Sequence, residues 1–377
     1  MAARSGSRRL PGPPPPPRPP QAPPPPPHAA AKTLPLAFEG RAGDYFGIWI
    51  VNLLLTILTI GLWSAWAKVR RKRYFLGTTT IDGNAFDYLA DGWTILKGRL
   101  IVVAATATYV ASQSISPYLQ GGLLLAYLVA YPWIVNSSLR FNARMTVWRN
   151  VRFDFAGSYW GAMFVFLVMP IVGIISFGLL LPVASRLGAN YLARHSRFGT
   201  APFHSSPRLA PFYGAILQAL LILVAALFVI MFVIGVALTL AGATPEDPVT
   251  LLDTIDASYL TVMPLVMLAG FMLATNFYRA RVRNIVVRTL TLDEHHRFDS
   301  VLSGLRYAWI VLSNGILSIA SLGLLHPWAA VRAWRYQAAC LSVLPAAALD
   351  AFVGSQQDSG AAMGSEFVDL QGLEIGL

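Results

Sequence analysis

Residues Tyr45 to Tyr74 read YFGIWIVNLLLTILTIGLWSAWAKVRRKRY. An apolar run carrying Asn52, Thr56 and Thr59 breaks at Gly61, reaches Trp66 and ends in the basic cluster Lys68–Arg73. Trp favours the headgroup layer of a bilayer, and Lys and Arg extend from it into water or onto lipid phosphate, so the order predicts an interfacial membrane anchor. Trp66, Arg70 and Arg73 are the candidate lipid-headgroup anchors of this stretch.

The pattern returns. Slid forward without a gap, the stretch lays Tyr45 on Tyr307, Asn52 on Asn314, Thr56 on Ser318, Thr59 on Ser321, Gly61 on Gly323, Trp66 on Trp328, Arg70 on Arg332 and Arg73 on Arg335. Matches at fixed spacing predict internal repeats, with anchors near 45–74, 159–191 and 307–336. The middle copy keeps Ser176, Gly178, Ala184 and Tyr191 but has Met169, Val183 and Leu187 where the others carry Asn, Trp and Arg. Trp328, Arg332 and Arg335 join the headgroup candidates, and Asn52, Thr56, Asn314 and Ser318 are candidate polar positions within the membrane. Asn52, Thr56, Asn136, Asn276 and Asn314 could line a neutral polar path, and the competing reading of these five is hydrogen bonding between helices without any substrate.

Working outward, the 377 residues are 55% hydrophobic and only 12% charged, which predicts an integral membrane protein. The net charge of +11 sits in short clusters at the ends of apolar runs, so anionic lipid headgroups rather than nucleic acid are the expected partner. The single Cys340 excludes an intrachain disulfide framework and any CxxC motif. Residues 1–33 are a proline-rich tail and 354–377 an acidic one, both expected to be disordered, around a multi-pass domain at 34–353.

Seven apolar segments fill that domain, near Tyr45–Trp66, Leu100–Ser116, Gly121–Leu139, Tyr159–Ser185, Ala210–Ala241, Ser258–Tyr278 and Tyr307–Trp328. Pro170 and Pro264 predict kinks within two of them. Between segments lie short β-prone runs: Asp82-Gly83 is a strong hairpin signal, and Arg149-Asn150 and Asp293–His296 occupy comparable places. Phe86-Asp87, Phe153-Asp154 and Phe298-Asp299 follow these turns, and Phe203 marks a weaker copy. The predicted fold is therefore mainly α, an integral-membrane, multi-pass helical bundle with internal repeats and short β-hairpins forming a small sheet at the membrane interface, Phe side chains toward the membrane.

Phe38, Gly40, Tyr45, Phe46, Ile48 and Trp49, then Asn52 to Gly61, then Trp66, Ala67, Val69, Arg70, Arg73 and Tyr74, with Asp82–Tyr88 after them, resemble the YjgN-like family of bacterial inner-membrane proteins, a family built on a domain of unknown function. The similarity covers roughly residues 34 to 353. It implies a multi-pass protein of the bacterial inner membrane and implies no activity.

No GxxxxGK, GxGxxG, HExxH or GxSxG occurs, so the expectation is a non-enzymatic protein with no cofactor. Asp293-Glu294-His295-His296 is the best metal candidate, but a contiguous run seldom converges on one ion, and the reading adopted is a polar turn, with no metal site. Membrane transport of a small solute or lipid is the leading functional expectation, ahead of a non-catalytic membrane-organising or signalling protein and a lipid-modifying enzyme. The charge-free Ser112–Gly122 and the acidic Gly242–Ser258 read as outer loops. The basic clusters all fall on the inner face if the three anchors bend near Gly61, Gly178 and Gly323 and return to that face, while the other four segments cross.

Overall fold

The computed structural model describes residues 33–240, 257–346 and 348–357; most of the two expected tails, and most of the segment Gly242–Ser258 read above as an outer loop, lie outside the described residues. Strand β1 (Leu34–Phe38) leads into helices α1 (Ala42–Leu58) and α2 (Ser64–Gly77), which return the chain to β2 (Thr79–Ile81). The same order then recurs: β3 (Asn84–Tyr88), α3 (Gly92–Ser112), α4 (Pro117–Arg144) and β4 (Thr146–Trp148) come first. Next are β5 (Val151–Phe155), α5 (Tyr159–Ile175), α6 (Leu181–His195) and β6 (Ser196–Phe198). After them come β7 (Ala201–Ser205), α7 (Ala210–Leu240), α8 (Ala257–Val287) and β8 (Leu290–Leu292), then β9 (His296–Ser300), α9 (Gly304–Ala320), α10 (His326–Ala339) and β10 (Leu341–Leu344). A last helix, α11, covers 349–357, so residues 354–357 of the expected acidic tail are helical.

The ten strands close into an antiparallel barrel in sequence order, β1 pairing with both β2 and β10. This corrects the expectation of a small sheet beside a helical bundle. Strands of three to five residues are marginal alone, and closure removes the two edges that an open sheet would expose. The missing parts were β1 and β10: Pro35 weakens the strand signal of Leu34–Phe38, and Leu341–Leu344 has no turn residue linking it to a partner. The helices hang in five pairs from one end of the barrel, and the tight turns lie at the other.

Three pairs bend sharply. Ile60-Gly61, Phe177-Gly178 and Leu322-Gly323 adopt left-handed backbone, with φ of 50° and 88°, 52° and 87°, and 52° and 90°. The glycine N–H donates to the carbonyl of Thr56, Gly173 or Ser318 at 2.7, 2.9 and 2.7 Å. One residue before the left-handed pair, the Thr59, Ser176 or Ser321 hydroxyl accepts from the N–H of Trp63, Leu180 or Leu325 at 2.9, 3.0 and 3.0 Å. Glycine suits the second position because it has no Cβ, and the hydroxyl satisfies a donor that the start of the returning helix leaves open. At about 1.5 Å per residue, the 17-residue α1 and α9 are shorter than a bilayer core of about 30 Å. By contrast, Gly92–Ser112, Pro117–Arg144 and Ala210–Val233 are long and apolar enough to cross a membrane. In α5, Met163–Val168 is wound as π-helix just before Pro170, which cannot donate to a preceding carbonyl.

Each pair is stapled to the next near the helix end of the barrel. Arg73 donates to the carbonyls of Tyr88 and Ala90 (both 3.0 Å), Arg140 to Phe155 (3.1 Å) and Arg186 to Pro207 (2.9 Å). Asn284 takes this place in the fourth pair, donating to Leu302 (2.8 Å), and Arg335 completes the circle on Gly40 (2.9 Å). These carbonyls lie where strand gives way to helix, and a hydrogen bond from a charged donor contributes about 1.5–3 kcal/mol.

Candidate functional site

Side chains alternate along a strand, so residues one, three and five of each five-residue strand share a face. In β3, β5, β7 and β9 the central residue of that face is Phe86, Phe153, Phe203 or Phe298, and in β1 it is Leu36; all five line the barrel interior. The phenylalanines thus face the lumen instead of the membrane, a second correction. Neighbouring rings sit 6.4 Å (Phe153–Phe203) and 6.1 Å (Phe203–Phe298) apart, and Phe198 contacts Phe153 at 5.0 Å. An eight-stranded barrel is just filled by its side chains, and ten strands leave more room. Here the lumen retains an apolar cavity of about 170 Å³.

Helix α11 closes the turn end of this lumen. Phe352 packs 4.4 Å from the His296 ring and 6.2 Å from Phe198, while Val353 is fully buried. Gln356 Oε1 accepts from Thr200 N and Oγ1, both at 2.8 Å, and from Ala201 N at 3.2 Å. A Cβ at Gly199 would lie 2.8 Å from that oxygen, and φ there is +60°, so glycine is required on both counts. Arg149 pairs with Asp350 at 2.6 Å, and its carbonyl accepts from Gln357 Nε2 at 2.6 Å. His296 is buried with Nδ1 unpartnered, and burial pushes its imidazole below the ordinary range.

At the opposite end a cavity of about 830 Å³ opens between α6 and α8. Small residues Ser185, Gly188 and Ala189 on α6 leave the space, and Val282 and Val286 of α8 face it. Tyr278 donates to Ser185 at 2.8 Å across it. Arg279 and Arg283 bring positive charge to an otherwise apolar wall, Arg283 also donating to the Gln337 carbonyl at 2.8 Å. Phe153 and Phe203 line this cavity and the lumen alike. The two cavities are thus neighbours, with these aromatic rings between them.

The residues singled out in the sequence lie off this axis. Asn52 is buried and its Oδ1 accepts from Trp63 Nε1 (3.1 Å) and Arg70 (3.4 Å). Asn314 accepts from Arg332 (3.0 Å) and donates to the Ala329 carbonyl (2.8 Å). Each Asn–Arg pair thus lies inside one bent hairpin, and no hydrogen bond joins Asn52 to Asn314. Thr56 donates back to the Asn52 carbonyl (2.6 Å), and the Ser318 carbonyl accepts from Gly323 (2.7 Å). Trp66 stacks on Trp63 at 5.3 Å, and Arg332 lies over the Trp328 ring at 5.2 Å. Asp293–His295 forms the turn from β8 to β9, with Asp293 and Glu294 left-handed, and His296 opens β9. No group of three or more His, Cys, Asp or Glu side chains placed to hold a metal occurs among the described residues. Sequence reasoning missed Arg279 and Arg283 as site residues; the available signal was a pair of arginines one helical turn apart beside an apolar run.

The family model for a bacterial protein of unknown function, DUF898, matches residues 33–370. The chain belongs to this family. The DUF898 chain is similar to a Salmonella typhimurium protein named inner membrane protein YjgN, 24% identical over 339 residues, covering 78% of this chain and 84% of that one. An Escherichia coli O157:H7 protein of the same name is 31% identical over 151 residues, covering 40% of this chain and 38% of that one. No solved structure matches. With its relatives named for the inner membrane and its own helices apolar enough to cross one, this DUF898 chain is a membrane protein.

Proposed function

We propose that this chain is a multi-pass, non-catalytic transport protein of the inner membrane, moving an amphiphile with an anionic head along the barrel axis. The observation that supports the reading is that Phe153 and Phe203 line both cavities, so that only these rings stand between the space at α6 and α8 and the lumen. Its volume is that of an ordinary ligand cavity, its walls suit a hydrocarbon chain, and Arg279 and Arg283 suit a negative head. The barrel would lie on the cytoplasmic face. Basic residues gather at the barrel ends of the helices, while Gln113–Ser116, joining α3 to α4 at the far end, carries no charge, as the positive-inside tendency requires.

The three bent hairpins would enter and leave on that face as copies of one unit. Their tip residues Ile60, Phe177 and Leu322 are 95%, 98% and 94% exposed, and large apolar side chains presented so fully suit hydrocarbon rather than water. Proteoliposomes test the transport reading. The full chain should move fluorescent lysophosphatidylglycerol across the bilayer several-fold faster than protein-free vesicles, and Gly188→Phe, which fills the cavity, should remove most of the gain. Gln356→Ala with Asp350→Asn, which loosens α11, should raise the rate. A rate equal to that of protein-free vesicles in both wild type and the loosened variant overturns the proposal.

A further inference from the structure

A second cavity, of about 760 Å³, lies away from the axis between the first bent hairpin and the α3–α4 pair. Its polar wall holds Lys68 and Ser64 of α2, Arg99 of α3, and Ser138 and Asn142 of α4. Lys72 adds a third cation at the rim, donating to Asn142 Oδ1 at 2.5 Å with its ammonium 4.6 Å from the Tyr88 ring. No Asp or Glu lines the cavity, and none of the three ion pairs among the described residues involves Lys68, Lys72 or Arg99.

The position of Arg99 makes this imbalance costly. It lies seven residues beyond Gly92, the start of α3, which places it about 10 Å along a helix apolar enough to cross a bilayer. Its hydrogen-bond partner is the Ser64 hydroxyl, a neutral group. A guanidinium at membrane depth pairs with an anion or reaches water. Beside it the apolar wall continues: Leu100, Val102 and Val103 of α3 and Ile60 and Leu62 at the hairpin tip line the same cavity. Those side chains are 49–95% exposed, so the described residues leave them largely uncovered.

We infer that this cleft binds an anionic phospholipid, its phosphate between Lys68 and Arg99 and an acyl chain along Leu100–Val103 to the hairpin tip. The charge asks for an anion and the adjoining apolar face asks for hydrocarbon, and one lipid molecule meets both. The site is separate from the axial cavity, so it stands or falls without the transport reading.

Thermal unfolding of the purified full chain in mixed micelles tests it without any flux measurement. Dioleoylphosphatidylglycerol should raise Tm by several degrees over dioleoylphosphatidylcholine, and inorganic phosphate should not. Lys68→Gln with Arg99→Gln should lose most of that gain. Arg152→Gln with Arg297→Gln, the same charge change on the outer barrel face, should keep it. If the Arg99 change prevents folding, Lys68→Glu alone, on an exposed side chain, should still lower the gain. Equal gains from the two lipids, an equal gain from inorganic phosphate, or an undiminished gain in the Lys68 variants overturns the inference.

Discussion

The first and second helix pairs leave the barrel from equivalent strands and return to adjacent ones, yet one bends after 17 residues and the other runs through helices of 21 and 28. In the first, Asn52 holds Trp63 and Arg70 across the bend, so the hairpin is closed by polar bonds within itself. In the second, the connection is made by Ser116, whose hydroxyl accepts from Tyr118 N at 3.2 Å, with Pro117 opening α4. Such an N-cap and proline start a helix without pulling its neighbour close. The difference teaches that one strand–helix–helix–strand plan yields a folded-back hairpin or a long pair according to a few residues at the tip. A left-handed pair ending in Gly, an upstream hydroxyl and, in two of three cases, an Asn–Arg clasp decide it.

The largest test of that comparison removes the clasp. Asn314→Leu deprives Arg332 of an acceptor and the Ala329 carbonyl of a donor, at a cost of about 2–3 kcal/mol, and Asn52→Leu should act similarly. Met169→Leu, at the corresponding place in the α5–α6 hairpin, should cost less than about 1.5 kcal/mol because volume is kept and no polar partner is lost. Thermal unfolding followed by tryptophan fluorescence reads both, and equal losses at positions 169 and 314 would break the distinction between clasped and unclasped hairpins.

A smaller effect separates the glycines. Gly61→Ala places a Cβ at φ +88° and should cost about 1–2 kcal/mol, whereas Gly98→Ala, within α3 and with open space around it, should gain about 0.5–1 kcal/mol. The same sign for both would mean that the bend is not set by its backbone. Smallest is the hydroxyl: Ser176→Ala removes the acceptor for Leu180 N and should cost about 1 kcal/mol, with Ser176→Thr restoring most of it. A neutral Ser176→Ala would show that water replaces the hydroxyl at the tip.

The bent hairpins were legible because everything that shapes them is local. Thr59, Gly61, Asn52 and Arg70 fall within one stretch of sequence, and their recurrence at Ser321, Gly323, Asn314 and Arg332 marks the pattern. The tight turn at Asp82-Gly83 was legible for the same reason, both residues being left-handed. The barrel was not. Its strands are too short for their alternation to stand out, and its seam joins Leu34 to Val343, a pairing that no nearby residue signals. The axial cavity was hidden further still, since it depends on Phe153 and Phe203 meeting Gly188 and Arg279 only after closure. The Phe-Asp recurrences located the strands but not the direction in which their rings point.

The seam between β1 and β10 also sets an order of events during synthesis. At about 5–20 residues per second, the roughly 300 residues between these strands take on the order of 15–60 s to emerge, and for that time β1 has only β2 beside it. Until then the barrel is an open ribbon with two exposed edges. The last strand made is the one that shuts it, and α11 follows to fill the opening. A chain halted before Leu341 would keep two bare strand edges, a ready substrate for a quality-control protease.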